Sequence, residues 1–247
     1  MSEATSLHEE ILETETDDGP MAVLRKRPSE GAAPRVAMFH DGPGIRKATH
    51  AFMQKLAASG YDVICPDLYH RAGRLIGIEP EQRAADPGLG AKMWELIQAM
   101  TDDGIQHDMD VALAAVGVTD DEPVGAIGFC LGARAVYRML ERRPQQCRAG
   151  AMWHPSFLAD DEPDSPHLTA GGLRQPLFIG IGDADQTQSI EMHQRFFDAV
   201  ESLEHVTVEV FAGADHGFTW PGYDSYHQEA SDRCFAATTE LFAGALR

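Results

Sequence analysis

Short apolar runs recur along the chain at 36–40, 61–65, 124–129, 149–153, 177–181 and 206–211, each of strand length. Helix-like stretches lie between most of them, at 46–59, 130–142 and 188–201, and a last one follows at 226–245. Apolar strands alternating with helices imply a mostly parallel sheet, because the crossover helices cover both of its faces and bury its strands. Ahead of this series, EEILETET and PMAVLRKRP read as a further pair of strands joined by a turn at Asp17-Asp18-Gly19. The expectation is an α/β fold of eight strands, the first two antiparallel, with helices on both faces.

One interval breaks the rhythm. Residues 66–122 hold a long loop punctuated by Pro66, Gly73, Gly77, Pro80, Pro87 and Gly88, with helical stretches near 88–100 and 105–117. Such an insertion beside strand ends reads as a pocket wall rather than a separate domain, so residues 1–247 are expected to form one domain. With 247 residues, 43% of them hydrophobic, the chain can bury a sizeable core, which excludes global disorder. The charge narrows the partners. Twenty basic against 39 acidic residues give a net −19, a field that repels phosphate backbones and anionic membrane surfaces. Neither nucleic acid nor membrane is expected. The opening stretch MSEATSLHEEILETETDDG has neither the basic nor the apolar region of a secretory signal, and no stretch is long and apolar enough to span a bilayer. A cytoplasmic location follows as the expectation, with Cys65, Cys130, Cys147 and Cys234 reduced and not spaced as metal ligands.

The candidate chemistry centres on Gly128-Phe129-Cys130-Leu131-Gly132, where a strand turns abruptly into a helix. The pattern has the form of a nucleophile elbow with cysteine in the central place. A side chain on so sharp a turn crowds the positions two before and two after it, which must therefore be small. The helix N-terminus that follows favours a thiolate, and the N–H of Leu131 points at the oxygen that gains charge during attack. Ordinary strand–helix packing around a buried cysteine accounts for the same five residues, so the rest of the chain has to decide. In an elbow fold the acid and the base follow the nucleophile, in that order, on loops after later strands. After PLFIGIG comes DADQ, and after VTVEVFAGAD comes His216. Both sit past the C-terminal ends of strands, where open α/β sheets bind ligands. A histidine beside cysteine can take its proton, and a carboxylate behind the histidine fixes its tautomer.

GFCLG, CPDLYHR, the GDAD loop and GADHGF, in this order and spacing, resemble the dienelactone hydrolase family over nearly the whole chain from Ile11 onward. The resemblance implies an α/β-hydrolase fold that opens cyclic enol-lactones with a Cys-His-Asp triad. It implies Cys130 as nucleophile and His216 as base. The family spacing Gly-x-x-Asp, counted from Gly182, selects Asp185 over Asp183 as the acid. The family also places an acidic residue after the third strand, near the resting thiol. That position is Asp41 in FHDGPG, one methylene shorter than the family's usual Glu, and the neighbouring Gly42 N–H is the expected second oxyanion donor. MWHPSF at 152–157 resembles a pocket-side stretch of some members.

Another departure bears on substrate. Members that act on carboxylated dienelactones carry an arginine where this chain has Trp220, in HGFTW. An indole cannot hold a carboxylate as a guanidinium does. Arg83, Arg71 or Arg74 of the insertion are the candidate substitutes. A thiolate leaves a tetrahedral adduct easily, so it suits lactones, enol esters and aryl esters, whose own leaving groups depart readily. The expected activity is hydrolysis of lactones or activated esters through a thioester, needing no metal or organic cofactor, with a small-molecule lactone or ester as partner and a monomer or small homo-oligomer as the assembly. Two alternatives stay open: a broad carboxylesterase or thioesterase, and a hydrolase-fold binding or redox-sensing protein that no longer turns over.

Overall fold

The computed structural model describes residues 6–247; residues 1–5, the start of the stretch read above as lacking an export signal, lie outside the described residues. Strand β1 (Leu7–Thr16) and strand β2 (Gly19–Pro28) pair antiparallel, with Thr16 opposite Gly19. The Thr16 hydroxyl closes the turn, accepting the Asp18 N–H at 3.1 Å and donating to the Gly19 carbonyl at 2.9 Å. Gly19 takes φ 108°, a value that strains any side chain, which is why glycine ends this turn.

The chain comprises two compact units, divided after Val124. The first continues with β3 (Arg35–Phe39), α1 (Lys47–Ala58), β4 (Asp62–Pro66), α2 (Pro80–Ala85), α3 (Gly88–Ala99) and α4 (Asp102–Ala115). Its strands run in the order β1-β2-β4-β3, with β2 antiparallel and β3 parallel to β4. The register is pinned by a buried carboxylate. Asp62, at the start of β4, is bound by Arg25 of β2 at 2.9 and 2.7 Å and by Arg35 of β3 at 2.7 Å. In the insertion, α3 and α4 fall where helices were expected. Helix α4 starts earlier, at Asp102, because the Thr101 hydroxyl accepts the Gly104 N–H and caps it there. Helix α2 is an addition. Six residues with none buried leave no apolar stripe to read, and only Pro80 in its first turn and the Glu79–Gln82 capping pair mark it.

The second unit holds most of β5 (Val124–Phe129), then α5 (Leu131–Arg142), β6 (Cys147–Trp153), β7 (Leu177–Gly182), α6 (Ile190–Val200), β8 (Val206–Phe211) and α7 (Gln228–Leu246). Its strands run β5-β6-β7-β8, with β7 parallel to both β6 and β8. Strands β5 and β7 are buried at every position, whereas the edge strand β8 leaves Val210 50% exposed. Helix α7 packs on β6 and β7, and the buried Trp153 indole donates to Thr238 of that helix at 3.0 Å. Such a bond lets a large aromatic be buried without leaving its N–H unsatisfied. The eight-stranded, mostly parallel sheet with helices is the architecture the hydropathy pattern predicts. No helix among the described residues is long and apolar enough to cross a membrane.

Candidate active site

Cys130 stands between the last residue of β5 and the first of α5, at φ 54° and ψ −118°, a conformation that is strained for a residue with a side chain. The neighbouring glycines explain how the chain tolerates it. A Cβ on Gly128 would lie 2.1 Å from the Gly132 carbonyl oxygen, so the turn cannot close with any side chain there. The Cys130 N–H donates to the Trp153 carbonyl at 3.2 Å, and its own carbonyl accepts the N–H groups of Ala133 and Ser156 at 3.1 and 3.0 Å. The thiol is therefore fixed at the N-terminus of a twelve-residue helix, with the Leu131 N–H in its first turn. Cys130 is partly exposed; Cys65, Cys147 and Cys234 are buried, and burial pushes all three thiols up, Cys147 to about 12. Cys65, at a strand end, is buried and held as the neutral thiol.

Asp185 and His216 meet. The His216 Nδ1 donates to Asp185 Oδ2 at 2.7 Å, while Asp185 Oδ1 accepts the N–H groups of Thr187 and Gln188 at 2.9 and 2.7 Å. A fully buried carboxylate with both oxygens bonded in this way is held in one orientation. Asp183 does other work: its carboxylate accepts the Gly213 N–H at 2.6 Å and ties its loop to the turn after β8. Burial disfavours the His216 imidazolium, but the charge of Cys130, followed by the hydrogen bond and charge of Asp185, outweighs it and pushes the ring up to about 10. Cys130 acts on the ring through its charge in the main. The His216 Nε2 is buried without a hydrogen bond of good geometry, as is common in unliganded sites whose bonds tighten around substrate.

Trp220 is 3% exposed, its ring 4.7 Å from that of Phe129, the residue before the thiol, and 6.3 Å from that of His154. In the first unit, Asp41 is buried with both carboxylate oxygens on the guanidinium of Arg46, one of them at 2.7 Å. The Gly42 carbonyl accepts the Tyr69 hydroxyl at 2.7 Å, and a Cβ on Gly42 would lie 2.9 Å from Ile97 of α3. Arg71 is engaged by Asp18 and by both oxygens of Asp108, and Arg74 by Glu13. Arg83 is exposed in the last turn of α2.

A sequence profile of the dienelactone hydrolase family matches residues 21–246, almost the whole chain. The protein belongs to the dienelactone hydrolase family. Among its relatives, the carboxymethylenebutenolidase of Pseudomonas sp. is 26% identical over 218 residues, 87% of this chain and 86% of that protein. A candidate carboxymethylenebutenolidase of Methylorubrum extorquens is 25% identical over 220 residues, 86% of this chain and 72% of that protein. A crystal structure of a candidate dienelactone hydrolase from Klebsiella pneumoniae superposes with a TM-score of 0.80 at 21% identity, covering 96% of this chain and 99% of that one. That likeness shows the fold, the α/β-hydrolase type expected from the motifs. The chain is a dienelactone hydrolase-like hydrolase.

Two residues of this family member escaped the sequence motifs, although both lie in the MWHPSF stretch. Ser156 is buried, with its hydroxyl 3.2 Å from the Cys130 sulfur. His154 is buried at φ 38°, with its ring edge-on to that of His216, centroids 5.1 Å apart. Neither follows from spacing, because a left-handed histidine is invisible in a run that reads as strand followed by a proline turn.

Proposed function

We propose that this protein hydrolyses lactones and activated carboxylic esters with Cys130 as nucleophile, His216 as the proton carrier and Asp185 as the group that orients it. The observation that carries the reading is the imidazole of His216, bonded to Asp185 and raised above its ordinary range chiefly by the charge of Cys130. In this reading the imidazolium and the Cys130 thiolate rest as an ion pair, and the sulfur attacks without prior proton transfer. Attack on the carbonyl carbon forms the C–S bond and places negative charge on the oxygen. The Leu131 N–H, at the head of α5, stabilises that charge. Collapse breaks the ester C–O bond, and His216 gives its proton to the departing oxygen. The enzyme is left as a thioester with a neutral imidazole.

The same electrostatics time the second half. Once acylated, the sulfur carries no charge, so the main cause that raised His216 is gone and the ring becomes a competent base for water. Water attacks the thioester, His216 takes the proton, and expulsion of the thiolate restores the starting pair. Throughout, the Asp185 carboxylate holds Nδ1–H and keeps Nε2 available.

Neutral substrates are the proposed class. Trp220, where carboxylate-binding members carry an arginine, packs on Phe129, and Arg71 and Arg74 are already engaged by acids of the chain. Replacing Cys130 by Ala is expected to lower kcat/KM for a neutral aryl ester by more than about a thousandfold, the scale typical for loss of a nucleophile, with the circular dichroism spectrum unchanged. Retention of a tenth of the activity would assign the chemistry to another group. Comparing a five-membered enol-lactone with an acyclic aryl ester then separates a lactonase from a general esterase: a lactone preference supports the former.

A further inference from the structure

The segment that carries Ser156 is held by a set of bonds that the triad itself does not require. The His154 N–H donates to the Gly180 carbonyl at 2.7 Å, and the Ser156 N–H donates to the Cys130 carbonyl at 3.0 Å. The Phe157 N–H donates to the Gln188 side chain at 3.1 Å, and Gln188 in turn gives its own N–H to Asp185. His193 Nε2–H donates to the Pro155 carbonyl at 3.0 Å, and burial pushes that ring down to about 4, so it stays neutral in the tautomer this bond needs. Four consecutive residues are thus each tied to a different neighbour. The backbone is left-handed on both sides of Ser156, at φ 38° for His154 and φ 60° for Phe157. Two strained non-glycine residues flanking one buried serine hold it in a place that relaxed backbone would not provide.

What that place offers is the thiol. The Ser156 hydroxyl lies 3.2 Å from the Cys130 sulfur, and the sulfur is its hydrogen-bond partner among the described residues. A thiolate has no proton to give, so with sulfur ionised the hydroxyl is the donor. We propose that Ser156 is a positioning residue for the nucleophile: its hydroxyl donates to the resting thiolate, lowers the sulfur's affinity for a proton and aims it. This rests on Cys130 being the nucleophile. The role differs from that of an acidic residue near the resting thiol, the place the family resemblance gave to Asp41, because a carboxylate can only accept; the Asp41 carboxylate is bonded to Arg46. A neutral hydroxyl donates to the thiolate without adding a second negative charge beside the sulfur. Acylation removes the sulfur's charge and weakens the bond, so the hydroxyl favours the free thiolate and assists its departure from the second tetrahedral adduct.

The test measures the pH dependence of Cys130 alkylation by iodoacetamide, read by mass spectrometry, in the wild type, Ser156→Ala and Ser156→Thr. The ultraviolet absorbance of the thiolate is followed in parallel. Removing the hydroxyl deletes one oxygen from a buried site, and thermal unfolding shows whether the fold persists. A hydrogen bond to an ionised group corresponds to about one to two pH units, so the Ser156→Ala midpoint is expected to rise by that amount and the Thr variant to restore it. The acid limb of kcat/KM for an aryl ester should shift with it. A folded Ser156→Ala whose midpoint equals that of the wild type overturns the proposal, as does a shift that Thr leaves uncorrected. Failure of the underlying reading looks different: the wild type itself would then show no alkylation at Cys130 below the ordinary thiol range, and Cys130→Ala would still hydrolyse ester.

Discussion

At φ 54°, Cys130 carries backbone strain of about 1–3 kcal/mol, and the surrounding bonds to Trp153, Ala133 and Ser156 hold it there. Strain of this kind persists where geometry serves chemistry, and in the proposed mechanism the same turn aims the thiol and directs the Leu131 N–H. The division of labour between Asp183 and Asp185 belongs to this scale too. Two carboxylates two residues apart look alike in DADQ, yet one braces a turn and the other faces an imidazole. Asp185→Asn is expected to lower kcat by about a hundredfold or more, since the amide can present the wrong partner to Nδ1–H. Asp183→Asn should leave kcat within about threefold and appear mainly in stability, as one weakened surface bond of about 1 kcal/mol. Steady-state kinetics and thermal melts on the two variants check the assignment. The reverse ranking would move the acid by two residues.

Among the elements, the strand between 124 and 129 and the helix after it show how far the sequence was legible. The run VGAIGF and the amphipathic stretch behind it gave both elements within a residue of their ends. The glycines between them gave the corner, because only a steric conflict requires small residues on both sides of one position. Gly128→Ala puts a methyl carbon 2.1 Å from the Gly132 oxygen. The contact is with backbone, which cannot swing aside, so the variant should lose about 3 kcal/mol or fail to fold. Denaturant unfolding measures this, and a loss under 1 kcal/mol would mean that the corner relaxes freely. Legibility fell where local pattern stops carrying information. Helix α2 has no buried residue to announce it, and β8, an apolar run in the sequence, proves a half-exposed edge because edge position is set by sheet order. Ser156 and His154 were hidden for another reason: their placement depends on positive φ at residues whose identity does not demand it.

For the whole molecule, the net charge of −19 acts on every approaching ligand. Its field extends about 8 Å at physiological ionic strength and opposes anionic substrates before any contact forms. A carboxylated lactone should therefore show kcat/KM that rises with added salt, by about two- to tenfold from low to physiological ionic strength, while a neutral aryl ester stays flat. Equal salt dependence of both substrates would place the specificity in local contacts alone. Family membership was readable from four short motifs, and the fold from the alternation of apolar runs with helices. The arrangement around the thiol was not, because it is built from loops that meet only after the strands have set their ends side by side.

The central claim is that an acyl group passes through the sulfur of Cys130, and the most direct measurement is the mass of the enzyme caught during turnover. An activated aryl acetate, mixed with the protein and quenched in acid within the first turnover, should give an acetylated species whose label maps to the peptide containing Cys130 and is released by hydroxylamine at neutral pH, as a thioester is. His216→Asn, which lacks both the partner of the thiolate and the base for water, should acylate more slowly than the wild type and, once acetylated, release the group more slowly still. An acetyl group mapped to any other residue, or ester hydrolysis in single turnovers with no covalent species, would contradict the account.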